Sequence, residues 1–185
     1  MDILKLLKDY QSAGLNAFVA GGYVRDAILN KPQKDIDMFV IGDFDENKID
    51  TAHSIKPNRW GLLTKPYYKI KNYSNMNIRE DVLEIYKFDD LNIDVMVMNC
   101  STIEQVLGNF DLSICQCACV LEGDELVYKV SEDFLDYIKS GTIYRYIDID
   151  THDNHLDRMK DKFGVDSFTE VNSKPIKLMS FKITE

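Results

Sequence analysis

Between Asn16 and Ile41 the hydrophobic pattern changes period twice, and this stretch restricts the possible folds more than any other in the chain. Asn16 to Ala20 is a short apolar run through Ala17, Phe18 and Val19, the mark of a buried strand. Gly21-Gly22 breaks it. Tyr23 to Asn30 then sets Val24, Ala27 and Ile28 on one side of a helix, with Arg25 and Asp26 elsewhere on its circumference. After a loop at Lys31-Pro32-Gln33-Lys34 the period falls to two. Asp35, Asp37, Phe39 and Ile41 share one face, and Ile36, Met38 and Val40 the other. A strand, a glycine turn, a helix and a second strand within 26 residues demand a mixed α/β architecture.

The flanking segments extend that pattern. Ile3, Leu4, Leu6, Leu7 and Tyr10 recur at helical spacing from Asp2 to Ala13, and Gly14 closes the element. A helix is expected over Glu46 to His53. Val82 to Phe88 and Asn92 to Met98 read as an antiparallel hairpin through Asp89-Asp90-Leu91. Ser101 to Leu107 reads as a helix with Ser101 and Glu104 as its capping box. Asp111 to Leu121 reads as one long apolar strand. A helix from Ser131 to Lys139 ends at Gly141, Thr142 to Ile149 follows as a strand, and Asp153 to Phe163 as a last helix. Val165 to Glu185 shows no clear period. The predicted fold class is α/β (α+β), a mixed β-sheet flanked by helices with a small C-terminal helical appendage. Residues 1–130 form the head, and residues 131–185 an appendage packed on the same domain.

Composition narrows the function. At 185 residues with 45% hydrophobic and 11% aromatic side chains, the chain can fill a core, which excludes wholesale disorder. No apolar run approaches the ~20 residues that cross a bilayer, so no membrane partner is expected. Lys5 and Lys8 interrupt the first apolar segment, which does not read as a signal peptide; a cytoplasmic protein is the expectation. The 22 basic against 31 acidic residues leave a formal charge of −9, which argues against RNA or DNA binding as the default without forbidding a local basic groove. Cys115, Cys117 and Cys119 alternate within an apolar run, a spacing that suits buried free thiols better than disulfides or a metal site.

Three features carry chemistry. The Gly21-Gly22 turn lets backbone N–H groups approach phosphate oxygens, and Arg25 on the following helix could add a bidentate phosphate contact. Asp35 and Asp37, at i and i+2 in a strand, bring two carboxylates within bridging distance of a metal ion. Asp94 interrupts an apolar strand, where an unaccompanied charge is expensive. Hard oxygen donors beside substrate phosphates suit Mg²⁺, and a third carboxylate can hold a second ion about 3.5–4 Å away.

The run Gly21-Gly22-Tyr23-Val24-Arg25-Asp26-Ala27-Ile28-Leu29 followed by Asp35-Ile36-Asp37 resembles the head-domain motif of the nucleotidyltransferase superfamily, the polymerase β fold. It is most similar to the form found in bacterial CCA-adding enzymes and poly(A) polymerases, GGxVRDxLLG followed by DxD. The resemblance covers roughly residues 15 to 120. It implies triphosphate contacts for Gly21 and Gly22 and catalytic Mg²⁺ ligation for Asp35 and Asp37. By its place on a later strand, Asp94 resembles the superfamily's third carboxylate. Asn109-Phe110-Asp111-Leu112-Ser113-Ile114 is loosely similar to the family's RRDFTIN segment near the nucleotide sugar; both arginines are missing, and only Asp111 carries over.

The implied activity is transfer of NMP from an NTP, ATP or CTP, to an acceptor hydroxyl on an RNA 3′ end, a protein or a small molecule, with release of pyrophosphate. The alternatives are a catalytically inactive nucleotide-binding module and a toxin/antitoxin-type or defence-related interaction module on the same fold. The chain lacks an EDxxR-type base-reading helix, with Asp157-Arg158 only an echo of one. His155, Arg158, Lys160 and Lys162 on that helix suit either phosphate contacts or an exposed face. His152 with His155 suits a solvated helix start better than a metal pair. Trp60, Tyr67 and Tyr68 suit base stacking or packing equally.

Overall fold

The computed structural model describes residues 2–55, 65–70, 81–151 and 153–183. Trp60 and His152 lie outside them. The chain opens with α1 (Ile3–Ser12), whose first turn is capped where the Lys5 backbone N–H donates to Asp2 Oδ1 at 3.1 Å. β1 (Asn16–Ala20), α2 (Gly22–Ile28) and β2 (Ile36–Ile41) follow, then α3 (Glu46–Ala52) and β3 (Tyr68–Ile70). The hairpin is β4 (Val82–Phe88) and β5 (Ile93–Met98), and α4 (Ile103–Gly108) follows it. β6 (Cys117–Glu122), β7 (Glu125–Ser131), α5 (Glu132–Ser140) and β8 (Tyr144–Tyr146) lead to α6 (Asp153–Phe163), β9 (Thr169–Val171) and β10 (Leu178–Phe181).

Among the described residues, eight strands form one sheet in the order β10-β7-β6-β1-β2-β5-β4-β3. Within it β2 and β5 run parallel and the other neighbours antiparallel. The period-two pattern divides the core between the two faces of the sheet. Val19, Met38, Val40, Val95, Val97 and Cys119 pack under α1, α2, α3, α5 and α6. Phe18, Ala20, Phe39, Ile41, Ala118 and Val120 pack on the opposite side with Val106 and Leu107 of α4. The architecture is the mixed α/β sheet flanked by helices that the sequence predicts.

Three expectations need correction. The capping box lies one residue later, on Thr102 and Gln105, because Gln105 Oε1 reaches back to the Ser101 and Thr102 N–H groups. The long strand from Asp111 begins only at Cys117. Ahead of it, the buried Ser113 accepts the Tyr144 N–H on its hydroxyl, and Ser113–Cys115 winds into a single 3₁₀ turn. Polar side chains inside an apolar run bond locally and displace the strand ladder. The segment after Val165 adds two strands, and β10 pairs along β7 from Leu178 opposite Ser131 to Phe181 opposite Tyr128.

The cysteines are free, with Cys115, Cys117 and Cys119 buried, and burial pushes their thiols above the ordinary range. No described helix is long and apolar enough to cross a membrane.

Candidate functional site

β1 ends at the glycine turn, and the two glycines serve different needs. Gly21 sits at φ +72°, ψ −134°, a conformation that L side chains rarely adopt. A Cβ there would lie 3.1 Å from the Phe110 ring, and the Gly21 N–H already donates to the Cys117 carbonyl at 3.0 Å. Gly22 carries no such constraint. A Cβ on it would meet only Arg25 Nη2, at an ordinary 3.6 Å. The fold therefore tolerates a side chain at Gly22, whose N–H belongs to the first turn of α2 and has no carbonyl within the helix to bond.

The parallel pairing of β2 with β5 places Asp37 directly opposite Asp94. Side chains opposite each other in a ladder share a face, so the two carboxylates project together, with Asp35 exposed just before β2. On the far side of β5, Lys87 of β4 is paired in register with Asp94, and its Nζ lies 2.5 Å from Asp94 Oδ2. Asp37 has neither a hydrogen bond nor an ion pair among the described residues. Burial, then the charge of Asp94, then that of Asp35 push its carboxyl up to about 7, against a smaller opposing pull from Lys87.

Asp35 and Asp37 form a wall common to two pockets. The first, about 420 Å³, is lined by Gly22, Arg25, Lys34, Asp111, Arg158 and Lys162, among others. The second, about 400 Å³, holds Asp94 together with Lys87, Asp89 and Asn92. Of the residues singled out from sequence, Gly22, Arg25, Asp35, Asp37 and Asp111 thus meet in one pocket and Asp35, Asp37 and Asp94 in the other. Gly21 lies behind the first, against Phe110.

Arg25 is held differently from the phosphate contact expected of it. It is buried, its Nε and Nη2 donate to Asp26 at 2.9 and 3.1 Å, and Nη1 points to the sulfurs of Cys115 and Met159. Burial alone would raise the Asp26 carboxyl, but Arg25 and Lys162, the latter 2.7 Å away, outweigh it and hold it below its ordinary value. This network pins α6 to α2. Arg25 is a positioning residue in this arrangement.

The pinning makes α6 a wall of the first pocket, through His155, Arg158, Met159 and Lys162. Arg158 and Lys162 line the pocket and are at the same time exposed to solvent. Lys162 is engaged by Asp26, whereas Arg158 and Lys34 have no ion-pair partner among the described residues. His155 Nε2 lies 3.6 Å from Asp111 Oδ1, and the Thr151 hydroxyl also bonds Asp111. Phe110 lines the pocket as well. Phe110 stands where the loosely similar family segment has an arginine, so nothing in that likeness marks it as a pocket residue. Tyr67 is a core residue packed edge-on to Tyr86, and Tyr68 is exposed on the edge strand.

The donor set suits Mg²⁺. Asp37 is a recessed hard-oxygen donor without a partner, and a divalent ion would relieve the repulsion from Asp94 and Asp35. Among the described residues no three His, Cys, Asp or Glu side chains are already grouped around one metal position. Asp35 and Asp94 would have to converge on Asp37, and Asp94 would exchange Lys87 for the ion.

Two buried groups set opposite pH slopes. His53 stacks on Phe88 at 4.0 Å and shares a 2.7 Å hydrogen bond with Tyr10, and its burial lowers its pKa to about 4. The unfolded chain, with a histidine pKa of about 6.5, binds a proton that the native state refuses, so stability from His53 falls as pH drops from about 6.5 to about 4. The raised Asp37 acts the other way, and its contribution falls as pH rises from about 4 to about 7. Urea unfolding across this range should give a flattened wild-type profile. Asp37→Asn should uncover a rise in stability with pH; a flat profile in that variant would contradict the His53 assignment.

Residues 2–140 match the family model described as Gad2, Gabija anti-defense 2 family protein. The chain belongs to that family. Comparison with curated proteins finds no match. Among solved structures, the Thermotoga maritima CCA-adding enzyme complexed with tRNA is similar at a TM-score of 0.58 and 19% identity, covering 92% of this chain and 38% of that one. A CCA-adding enzyme with CTP gives 0.52 and 16% identity, over 88% of this chain and 42% of that one. A tRNA nucleotidyltransferase complexed with a primer tRNA and an incoming ATP analogue gives 0.50 and 17%, over 75% and 37%. The fold is that of the nucleotidyltransferases, and the chain spans about two fifths of the length of these solved relatives.

Proposed function

We propose that the chain is a Mg²⁺-dependent nucleotidyltransferase that moves NMP from an NTP, ATP or CTP, to an acceptor hydroxyl. The observation that carries this reading is the shared wall: Asp35 and Asp37 border both a pocket lined by Gly22, Lys34 and Arg158 and a second pocket holding Asp94. A triphosphate suits the first and an acceptor hydroxyl the second, with the α-phosphorus between them.

Within that reading, Gly22 lets the triphosphate approach the backbone, and Lys34 and Arg158 balance its charge. Phe110 bounds the pocket below the glycine turn, and Asp111 with His155 lines its far side. Mg²⁺ held by Asp35, Asp37 and Asp94 would neutralise phosphate charge and lower the pKa of the acceptor hydroxyl. The hydroxyl oxygen bonds to the α-phosphorus, the bond to the β-phosphate oxygen breaks, and pyrophosphate leaves with that electron pair. The hydroxyl proton passes to the Asp94 carboxylate in the second pocket. The family name adds a setting, action against Gabija defence, which modification of a component of that system in the cytoplasm would satisfy.

The test is incubation with α-phosphate-labelled ATP or CTP in cell lysate. Label on a macromolecule that depends on Mg²⁺ and disappears with chelator supports transfer; nucleotide bound but never transferred would favour the module without turnover. One observation speaks for that second reading, the Lys87 ammonium resting against Asp94.

The glycines supply a separate check. Gly21→Ala should lose about 1–3 kcal/mol of stability from its positive φ and the Phe110 contact. Gly22→Ala should melt near wild type and bind Mg-NTP at least about tenfold more weakly, about 1.4 kcal/mol. Calorimetry and melting curves on both variants separate the roles, and unchanged affinity in Gly22→Ala would count against the phosphate turn.

A further inference from the structure

We infer that Lys162 recognises the terminal phosphate of the nucleotide and makes the first pocket select a triphosphate over a diphosphate. This rests on the transferase reading and adds a specificity-determining residue to its nucleotide pocket. His155, Arg158, Met159 and Lys162 stand at i, i+3, i+4 and i+7 of α6, so one stripe of that helix lines the pocket. Leu156 and Met159 are buried in the core, which fixes the stripe in place.

The two ends of the stripe have different neighbours. At its start, His155 Nε2 lies 3.6 Å from Asp111, the residue after Phe110, whose ring abuts Gly21. A Cβ on Gly21 would also stand 4.0 Å from Asp37 Oδ2, so this is the end of the pocket where Mg²⁺ would sit. At the other end, Lys162 Nζ lies 2.7 Å from Asp26 Oδ2, and Asp26 is one turn beyond Gly22 on α2. α6 therefore runs beside α2 and away from Asp37. From His155 to Lys162 it rises about 10 Å, with Arg158 between.

That order sets the course of the polyphosphate. Its α-phosphorus lies at Asp35 and Asp37, its charge draws it past the glycine turn along the cations of α6, and Lys162 is the last of them. The lysine is available there. Asp26 has both oxygens on Arg25, at 2.9 and 3.1 Å, and takes only one of the three ammonium N–H donors. The remaining donors can meet a phosphate oxygen without breaking the pair. Arg25 cannot take that part, because its Nη1 is turned to the sulfurs of Cys115 and Met159. A diphosphate, one phosphate shorter, stops short of Lys162.

The experiment measures the affinity of the full chain for Mg-ATP, Mg-ADP, Mg-CTP and Mg-CDP by calorimetry, without acceptor. Wild type should bind the triphosphate of its preferred base at least about tenfold more tightly than the diphosphate. Lys162→Met should weaken the triphosphate by about tenfold and leave the diphosphate within about twofold, so the preference disappears. Lys162→Arg, which keeps the charge, should keep the preference. Arg158→Met, midway along the stripe, should weaken both nucleotides alike. Lys162→Met should melt near wild type, because Arg25 still pairs with Asp26; Lys162→Gln carries the same comparison should it not fold. Equal loss of triphosphate and diphosphate in Lys162→Met, the mark of a displaced helix, overturns the inference, and so does an unchanged preference. A loss confined to the triphosphate in Arg158→Met places the terminal phosphate one turn earlier and also overturns it. Wild-type binding that does not distinguish the two overturns the inference and keeps the nucleotide site. Absence of nucleotide binding overturns the transferase reading with it.

Discussion

Asp37→Asn should lower nucleotidyl transfer by roughly 10³-fold or more while the protein stays folded, since each tenfold loss corresponds to about 1.4 kcal/mol of transition-state stabilisation. Asp37 borders both pockets together with Asp35, stands in register with Asp94, and has no partner among the described residues. Asparagine keeps the shape and removes the charge. It also removes the buried charge and its repulsion from Asp94 and Asp35, which together hold the wild-type carboxyl near 7, so the variant should melt at or above the wild-type temperature. The sign depends on pH. The wild-type group loses stability as pH rises from about 4 to about 7, so the variant's advantage should be small at pH 5 and largest at pH 8. A variant that transfers at the wild-type rate would remove Asp37 from the site. A variant that melts well below wild type at pH 8 would contradict the repulsion.

Asp94→Asn should separate binding from transfer. Asp94 borders only the second pocket, so Mg-NTP affinity should stay within about threefold while single-turnover transfer falls by roughly 10²-fold or more. The competing role is structural, as partner to Lys87. That pair is partly solvated, with side chains 25% and 34% exposed, and such pairs contribute under about 1 kcal/mol. The melting temperature should therefore move little. A destabilised but fully active Asp94→Asn would assign Asp94 to Lys87 alone.

Where local pattern and tertiary packing agree, the residues specify their own structure. β1 spans Asn16–Ala20 and α6 spans Asp153–Phe163, the bounds the sequence predicts, because apolar periodicity and flanking glycines or polar caps coincide there. The pairing of Asp37 with Asp94 could be anticipated only as two carboxylate strands; the parallel register that aligns them is set by β2 and β5 meeting across the 51 residues between Ile41 and Ile93. α6 illustrates the opposite case. Its cations read equally well as a solvated face, and only the buried Asp26, bonded by both Arg25 and Lys162, turns the helix toward the pocket. Glu125, Tyr128 and Lys129 dilute the alternation of β7, and β10 is a strand through its pairing with β7, which local pattern does not encode. Ser113 and Gln116 likewise end the long strand expected from Asp111 through hydrogen bonds that hydrophobic pattern does not encode.

The most direct measurement runs two labels in parallel. Wild type and Asp37→Asn are each incubated with Mg²⁺, cell lysate, and ATP or CTP labelled on either the α- or the γ-phosphate. Transfer of NMP requires that wild type place α-label on a macromolecule while γ-label leaves as pyrophosphate, and that Asp37→Asn place neither. Label arriving from the γ-phosphate, or α-label incorporated equally by Asp37→Asn, would contradict nucleotidyl transfer at this site.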